Sequence, residues 1–185
     1  MKKHIITLIV VISVVCTAFT ANEKFTVNIV ESNIKWTGYA EAGNYSPTGN
    51  IRIKSGMINA KNGMIISGKI VIDMTTLSHE NKDLEKHLKE SDFFDCKKYP
   101  TSTFVIYKVV GKQITGKLTI KGITKSVSFP ISTTIKNGIS KSKVSLKVDR
   151  TEFNIKYNSS SYFQDLGSYA IKNEFDLDIT IVASL

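Results

Sequence analysis

Cysteine is scarce in this chain. There are two, Cys16 and Cys96, and Cys16 lies at the end of an apolar amino-terminal run, so no disulfide framework is expected and the core alone must hold the fold. Cys96 stands close to Phe94 and reads as a small half-buried hydrophobe rather than a reactive thiol. Histidine is equally scarce. Beyond residue 21 only His79 and His87 could act as imidazole bases, and no serine occupies a strand-turn-helix elbow, which argues against acyl-transfer chemistry. The two histidines are about two helical turns apart, too far to share one metal ion from a straight helix, and no glycine-rich phosphate loop is present. No catalytic residue, metal or cofactor is therefore assigned, and the expectation is a binding protein, not an enzyme.

Long hydrophobic runs are also missing, with one exception. Ile5 to Val15 is apolar, follows Lys2 and Lys3, and precedes the small residues Cys16-Thr17-Ala18 and Ala21. It is shorter than the roughly 20 residues of a spanning helix, so residues 1–21 read as a signal peptide and 22–185 as one domain, periplasmic or secreted. A lipoprotein anchored at Cys16 is the alternative, which Ser13-Val14-Val15 fits poorly. Without Lys2 and Lys3, the 25 Lys and Arg fall to 23 against 16 acids, a net charge of +7. Almost all of it is scattered lysine, the arginines being Arg52 and Arg150, which suits solubility or transient contact with an anionic membrane surface. Nucleic acid is not an expected partner.

What the chain does have is alternation. From Lys24 onward apolar and polar residues alternate at period two, as in Lys143-Val144-Ser145-Leu146-Lys147-Val148-Asp149 and Phe175-Asp176-Leu177-Asp178-Ile179-Thr180-Ile181. About nine runs follow, near 24–30, 34–40, 48–59, 64–74, 101–110, 113–121, 125–135, 140–149 and 170–182, with a bulge expected at Ser55-Gly56. Asn62-Gly63 and Asn137-Gly138 fit type I′ hairpin turns, Gly111-Lys112 fits type II′, and Gly122 marks another reversal. So long an antiparallel sheet with one wet face must close or fold on itself, and the expected fold is an all-β antiparallel barrel of about eight strands with one short inserted helix. That helix has Ser78 as its expected N-cap, with Leu84 and Leu88 leaning on the sheet. A serine-rich insertion, 158–168, carries Tyr162, Phe163 and Leu166 and is expected to be irregular.

The aromatic stretch His87 to Phe104 joins the helix to the next strand, and Pro100 forces Tyr99 extended. Its acids, Asp92 and Asp95, are expected to cap the turn or to pair with lysine, with Arg150 as a further candidate partner. The wall of an apolar pocket is assigned to large apolar residues at alternating strand positions: Trp36, Phe104, Leu118, Ile120, Phe129, Leu146, Val148 and Phe175. Phe94, Tyr99 and Phe153 are assigned to its mouth.

Four motifs carry a resemblance to a known family. His87-Leu88-Lys89 with Asp92-Phe93-Phe94-Asp95, Tyr99-Pro100-Thr101 and Phe104 is the first; Trp36-Thr37-Gly38 with Gly49, Gly56, Gly68 and Ile72-Asp73-Met74 is the second. The run Ile114-Thr115-Gly116-Lys117-Leu118-Thr119-Ile120-Lys121-Gly122-Ile123-Thr124-Lys125 and the segment Arg150-Thr151-Glu152-Phe153 complete the set. Together they resemble the YceI-like bacterial polyisoprenoid-binding proteins, with Asn154 where a glycine is commonly found. The resemblance implies a lipocalin-like barrel, an isoprenoid lipid ligand of prenyl phosphate or prenyl quinone type, and a periplasmic address. Candidate partners are that lipid, a membrane surface and a second copy of the chain. Two rival readings are a structural or stress-associated interaction module whose core is filled by its own side chains, and an enzyme acting on an isoprenoid lipid.

Overall fold

A computed structural model describes residues 22–185. The expected signal peptide, 1–21, and the lipoprotein alternative at Cys16 lie outside the described residues. Ten strands and one helix run in the order β1 Asn22–Val27, β2 Asn33–Thr37, β3 Thr48–Lys61, β4 Met64–Ser78, α1 Lys82–Lys89, β5 Thr101–Val110, β6 Gln113–Ile120, β7 Ile123–Pro130, β8 Ser132–Lys136, β9 Ile139–Asp149 and β10 Glu174–Ser184. All the strands belong to one antiparallel sheet that forms a barrel, with ladder order β7-β6-β5-β4-β3-β1-β10-β9-β8 and β2 placed between β3 and β10.

Ten strands fill eight lanes because two lanes are broken. β1 pairs with the Lys61 end of β3, as far as Met57, and β2 with the Thr48 end, so the two lie end to end between β3 and β10. The break at 28–32 is tied down by Asn28, whose side-chain oxygen accepts from Val30 N and Glu31 N, and by Ser32, whose Oγ accepts from Val182 N at 3.0 Å. The second broken lane corrects the expected single run 125–135. Pro130 has no N–H to give a ladder, and there the chain leaves β6 and, one residue later, joins β9 as β8. This crossing closes the barrel.

The reversals have the backbone their residues demand. Asn62 and Gly63 have φ of 54° and 73°, and Asn137 and Gly138 have 52° and 71°, both central positions positive as type I′ requires. Lys121 and Gly122 adopt the same form, and Gly111 has the single positive φ, 58°, of a II′ turn. The expected bulge falls between Ile53 and Ser55. A β-branched side chain resists positive φ, so Asn62→Val and Asn137→Val should each lower stability by about 1 kcal/mol or more. Urea unfolding midpoints that do not move would contradict that account.

One close approach fixes how the barrel wall can be built. A Cβ on Gly49 would lie 1.9 Å from the Ser78 carbonyl oxygen and 2.7 Å from the Trp36 ring, so only glycine lets β3 pass beneath the indole. The helix begins three residues later than the sequence suggests. Ser78 is the last residue of β4, and Asn81 is the N-cap, its side-chain oxygen accepting from Asp83 N at 2.9 Å and Leu84 N at 3.1 Å.

Inward residues pack differently along the barrel. Phe25, Ile58, Ala60, Ile65, Ile114 and Ala183 are buried in a hydrophobic core that fills the end bearing the Asn62-Gly63 and Asn137-Gly138 turns. The end beneath α1 is hollow.

Candidate functional site

The hollow is a cavity of about 350 Å³. Its walls come from inward residues of six strands: Ile34 and Trp36 on β2, Ile51 on β3, Ile72, Met74 and Leu77 on β4, Ser102 on β5, Leu118 and Ile120 on β6, and Phe175 and Leu177 on β10. Its roof is Leu84 and Leu88 of α1 with Phe93 and Phe94 of the following turn. Where its lining residues are exposed, at Tyr45, Ser168, Tyr169, Lys172 and Glu174, the cavity meets solvent. The wall is thus nearly all hydrocarbon and the mouth amphipathic.

The roof is held by backbone bonds rather than by bulk. Phe94 N donates to Leu88 O at 3.2 Å, Cys96 N to Lys89 O at 3.0 Å and Asp95 N to Glu90 O at 2.8 Å. Asp95 turns through a left-handed φ of 48°, and its carbonyl accepts from Tyr99 N at 2.8 Å. His87 Nε2 lies 2.8 Å from Asp92 Oδ2, and the His87 ring meets Phe93 and Tyr157 edge-on. Glu85 receives Lys82 and Lys89, both at 2.9 Å, and the backbone N–H of His79. Those hydrogen bonds hold its carboxyl down at about 2.

The roof also contains Cys96. It is buried, and burial pushes its thiol up to about 11. Thiol-specific reagents should therefore label native protein slowly at neutral pH and faster as pH approaches 11 or as urea opens the roof. Rapid stoichiometric labelling of folded protein near pH 7 would contradict this placement.

At the mouth, Arg150 does what no nearby carboxylate explains. Buried at 4% exposure in the 3-10 turn Arg150–Phe153, it donates Nε–H to Lys172 O, Nη1 to Ile155 O and Tyr157 O, and Nη2 to Ile171 O, at 2.8 to 3.0 Å. It pairs with neither Asp92 nor Asp95. The first bonds His87 and the second turns the backbone, which corrects the ion pair expected with Arg150. Burial lowers the guanidinium's pKa, and the four carbonyls replace its hydration. Asn154, at φ 59°, occupies the left-handed position that ends this turn, the conformation a glycine would adopt freely. Tyr39, also on the lining, donates to Asp176 Oδ2 at 2.7 Å, and this bond raises its own pKa.

Among the residues assigned from sequence, the structure brings Trp36, Phe94, Leu118, Ile120 and Phe175 together on this lining. The other six lie elsewhere. Phe104 sits over Gly116, where a Cβ would be 2.3 Å from its ring, and packs at a tilt against Phe129, centroids 5.2 Å apart, off the lining. Val148 and Phe153 are core, Leu146 packs against that core, and Tyr99 lies against Gly122. Period two separates inside from outside but does not say how far along the barrel a side chain lies. Leu84 and Leu88 were expected to lean on the sheet, Phe93 lies in the aromatic stretch, and Ile72 and Leu177 fall in expected strand runs, whereas Tyr45 and Tyr169 carried no such signal. Among the described residues no three His, Cys, Asp or Glu side chains come together as a metal set, and no hydroxyl or thiol is hydrogen-bonded to either histidine ring. The arrangement offers containment of an apolar molecule.

Comparison with known proteins follows the same line. Residues 20–183 match the YceI-like domain. A UPF0312 protein of Vibrio parahaemolyticus is 38% identical over 65 residues, and one of Pseudomonas putida is 39% identical over 70 residues. These matches cover 32% and 34% of this chain and span about a third of each relative, 34% and 36%. Among solved structures, a polyisoprenoid binding domain from Saccharophagus degradans implicated in plant cell wall breakdown superposes with a TM-score of 0.66 at 9% identity, over 86% of this chain and 97% of that one. BcnA of Burkholderia cenocepacia gives 0.62 at 20% identity, over 85% and 99%. At these identities the likeness is one of fold.

Proposed function

The chain belongs to the YceI-like family, and from that premise we propose that it binds a polyisoprenoid lipid, of prenyl phosphate or prenyl quinone type, in the barrel cavity and sequesters or transfers it in the periplasm. The observation that carries this reading is the hydrocarbon lining of a 350 Å³ hollow inside an otherwise filled barrel. That volume is within the range of small-molecule sites, and its composition suits a chain rather than a polar ring. Each five-carbon isoprene unit moved from water into such a wall contributes roughly 3 to 4 kcal/mol, so a few units exceed the cost of association. A long polyprenyl tail would lodge its first units inside and leave the rest at the mouth, against Tyr45 and Tyr169.

The export signal read in residues 1–21 supports a periplasmic site of action. Exposed aromatics at the mouth, with Lys172 on the same lining, suit transient contact with a membrane during loading. A carrier also accounts for a site that gathers apolar side chains and whose hydroxyls have no histidine beside them as a base, among the described residues. The test is an organic extract of protein purified from its native host, analysed by mass spectrometry. A prenyl lipid at near-stoichiometric amount is the expected result; repeated empty extracts, together with failure to take up prenyl lipid from vesicles, would overturn the reading.

A further inference from the structure

Two buried polar side chains of the cavity wall have nothing to bond. Ser102, on β5, is 3% exposed, and its Oγ has no hydrogen-bond partner among the described residues. It pairs in register with Ile72 of β4 and lies one step beyond the Thr103–Thr119 pair, beside Ile120 of β6. Residues opposite one another across a ladder share a face, so the hydroxyl emerges among hydrocarbon on the inner wall. Trp36, 8% exposed on β2, lines the same cavity, and its Nε1–H is also unpaired. The indole N–H can only donate; the serine can donate or accept. Leaving such groups dry and unpaired costs stability, and native proteins keep few of them without a reason.

We propose that the Ser102 hydroxyl forms a polar subsite inside the cavity for an oxygen of the bound lipid, the Trp36 N–H being a further unpaired donor on the same lining. The preferred ligand is then an oxygenated isoprenoid that presents a carbonyl or hydroxyl to the inner wall, not a bare hydrocarbon. This inference rests on the carrier reading above. An ionised phosphate is a poor occupant of the subsite. Arg150 is the one buried cation on the lining among the described residues, and its guanidinium is committed to four carbonyls. A phosphate group would stay at the mouth, near Lys172.

The test uses the purified, delipidated protein and two matched probes, farnesylacetone, a ketone, and 2,6,10-trimethylpentadeca-2,6,10-triene, the hydrocarbon of equal carbon number in which a CH2 replaces the carbonyl. Wild type should bind the ketone about five- to tenfold more tightly, the worth of one buried neutral hydrogen bond. Ser102→Ala should remove most of that preference by weakening the ketone alone, and Trp36→Phe should reduce it in part. The ketone's carbonyl stretch should fall in frequency on binding wild type and not on binding Ser102→Ala. Equal affinity for both probes in wild type, or equal loss of both in folded Ser102→Ala, would overturn the subsite and leave the carrier reading intact. If Ser102→Ala does not fold, the wild-type infrared spectrum decides, an unshifted carbonyl overturning the subsite. Failure of both probes to bind wild type would overturn the carrier reading itself.

Discussion

Arg150→Met should lower the unfolding free energy by about 3 to 5 kcal/mol, one of the largest losses any single substitution in this chain can cause. The four carbonyls that the guanidinium serves, at Ile155, Tyr157, Ile171 and Lys172, belong to two segments that are brought together around it. Replacing a buried ion pair by hydrocarbon is often harmless, because both charges go together. Here the acceptors are backbone and cannot be removed, so methionine leaves them dry and unpaired. Hydrogen bonds to a charged donor are worth roughly 1.5 to 3 kcal/mol each, and partial rehydration as the loop opens keeps the total below four times that. Arg150→Lys should recover little, since one ammonium cannot reproduce a planar fork that spans four acceptors. Urea unfolding measures the loss, and hydrogen exchange should place it between 154 and 173. Midpoints of Arg150→Met equal to wild type would show that the carbonyls find other donors.

The consequence extends to the site, because Ser168 to Lys172 form part of the cavity mouth. On the proposed carrier reading, a mouth stitched by one guanidinium should lose retention of a bound lipid along with stability. Dissociation would then quicken in Arg150→Lys before the barrel itself unfolds.

How much of this could be read in advance depended on the range of the interaction. The Asn-Gly turns were legible because positive φ at two adjacent positions is a local demand that few residues meet. Strand faces were legible for the same reason, period two being a property of the chain itself. The closing of the barrel at Pro130 was not, although the proline was in view, because an imino residue breaks a ladder without saying which strand the chain joins next. Arg150 showed the same limit. Its partners are carbonyls assembled from 155 to 172, and the nearby acids that looked like partners in sequence are used elsewhere. Trp36, Leu118 and Ile120 meet at the cavity while Phe104 and Phe129 pack together off its lining, a difference in height along the barrel that alternation does not encode.

Leu118→Lys should abolish lipid binding, with affinity falling by about two orders of magnitude or more, while Lys117→Leu should leave it nearly unchanged. Leu118 is 5% exposed on the cavity wall, and Lys117, one residue earlier, points out to water. The substitution removes a buried leucine, worth roughly 2 kcal/mol, and places an ammonium beside hydrocarbon, which costs several more unless the charge escapes. A neighbouring lysine shows how escape would work. Lys125 is opposite Leu118 in register and so shares its inward face, but it is half-buried on β7, whose far side has no ladder partner at that height. Its long stem can carry the charge out through that gap. Leu118 lies one strand further in, between β5 and β7, and has no such exit. Some of the cost will appear as lost stability, so binding must be compared on material that circular dichroism shows to be folded. Folded Leu118→Lys that still takes up prenyl lipid, beside Lys117→Leu that does not, would place the ligand outside the barrel and sink the carrier reading with it.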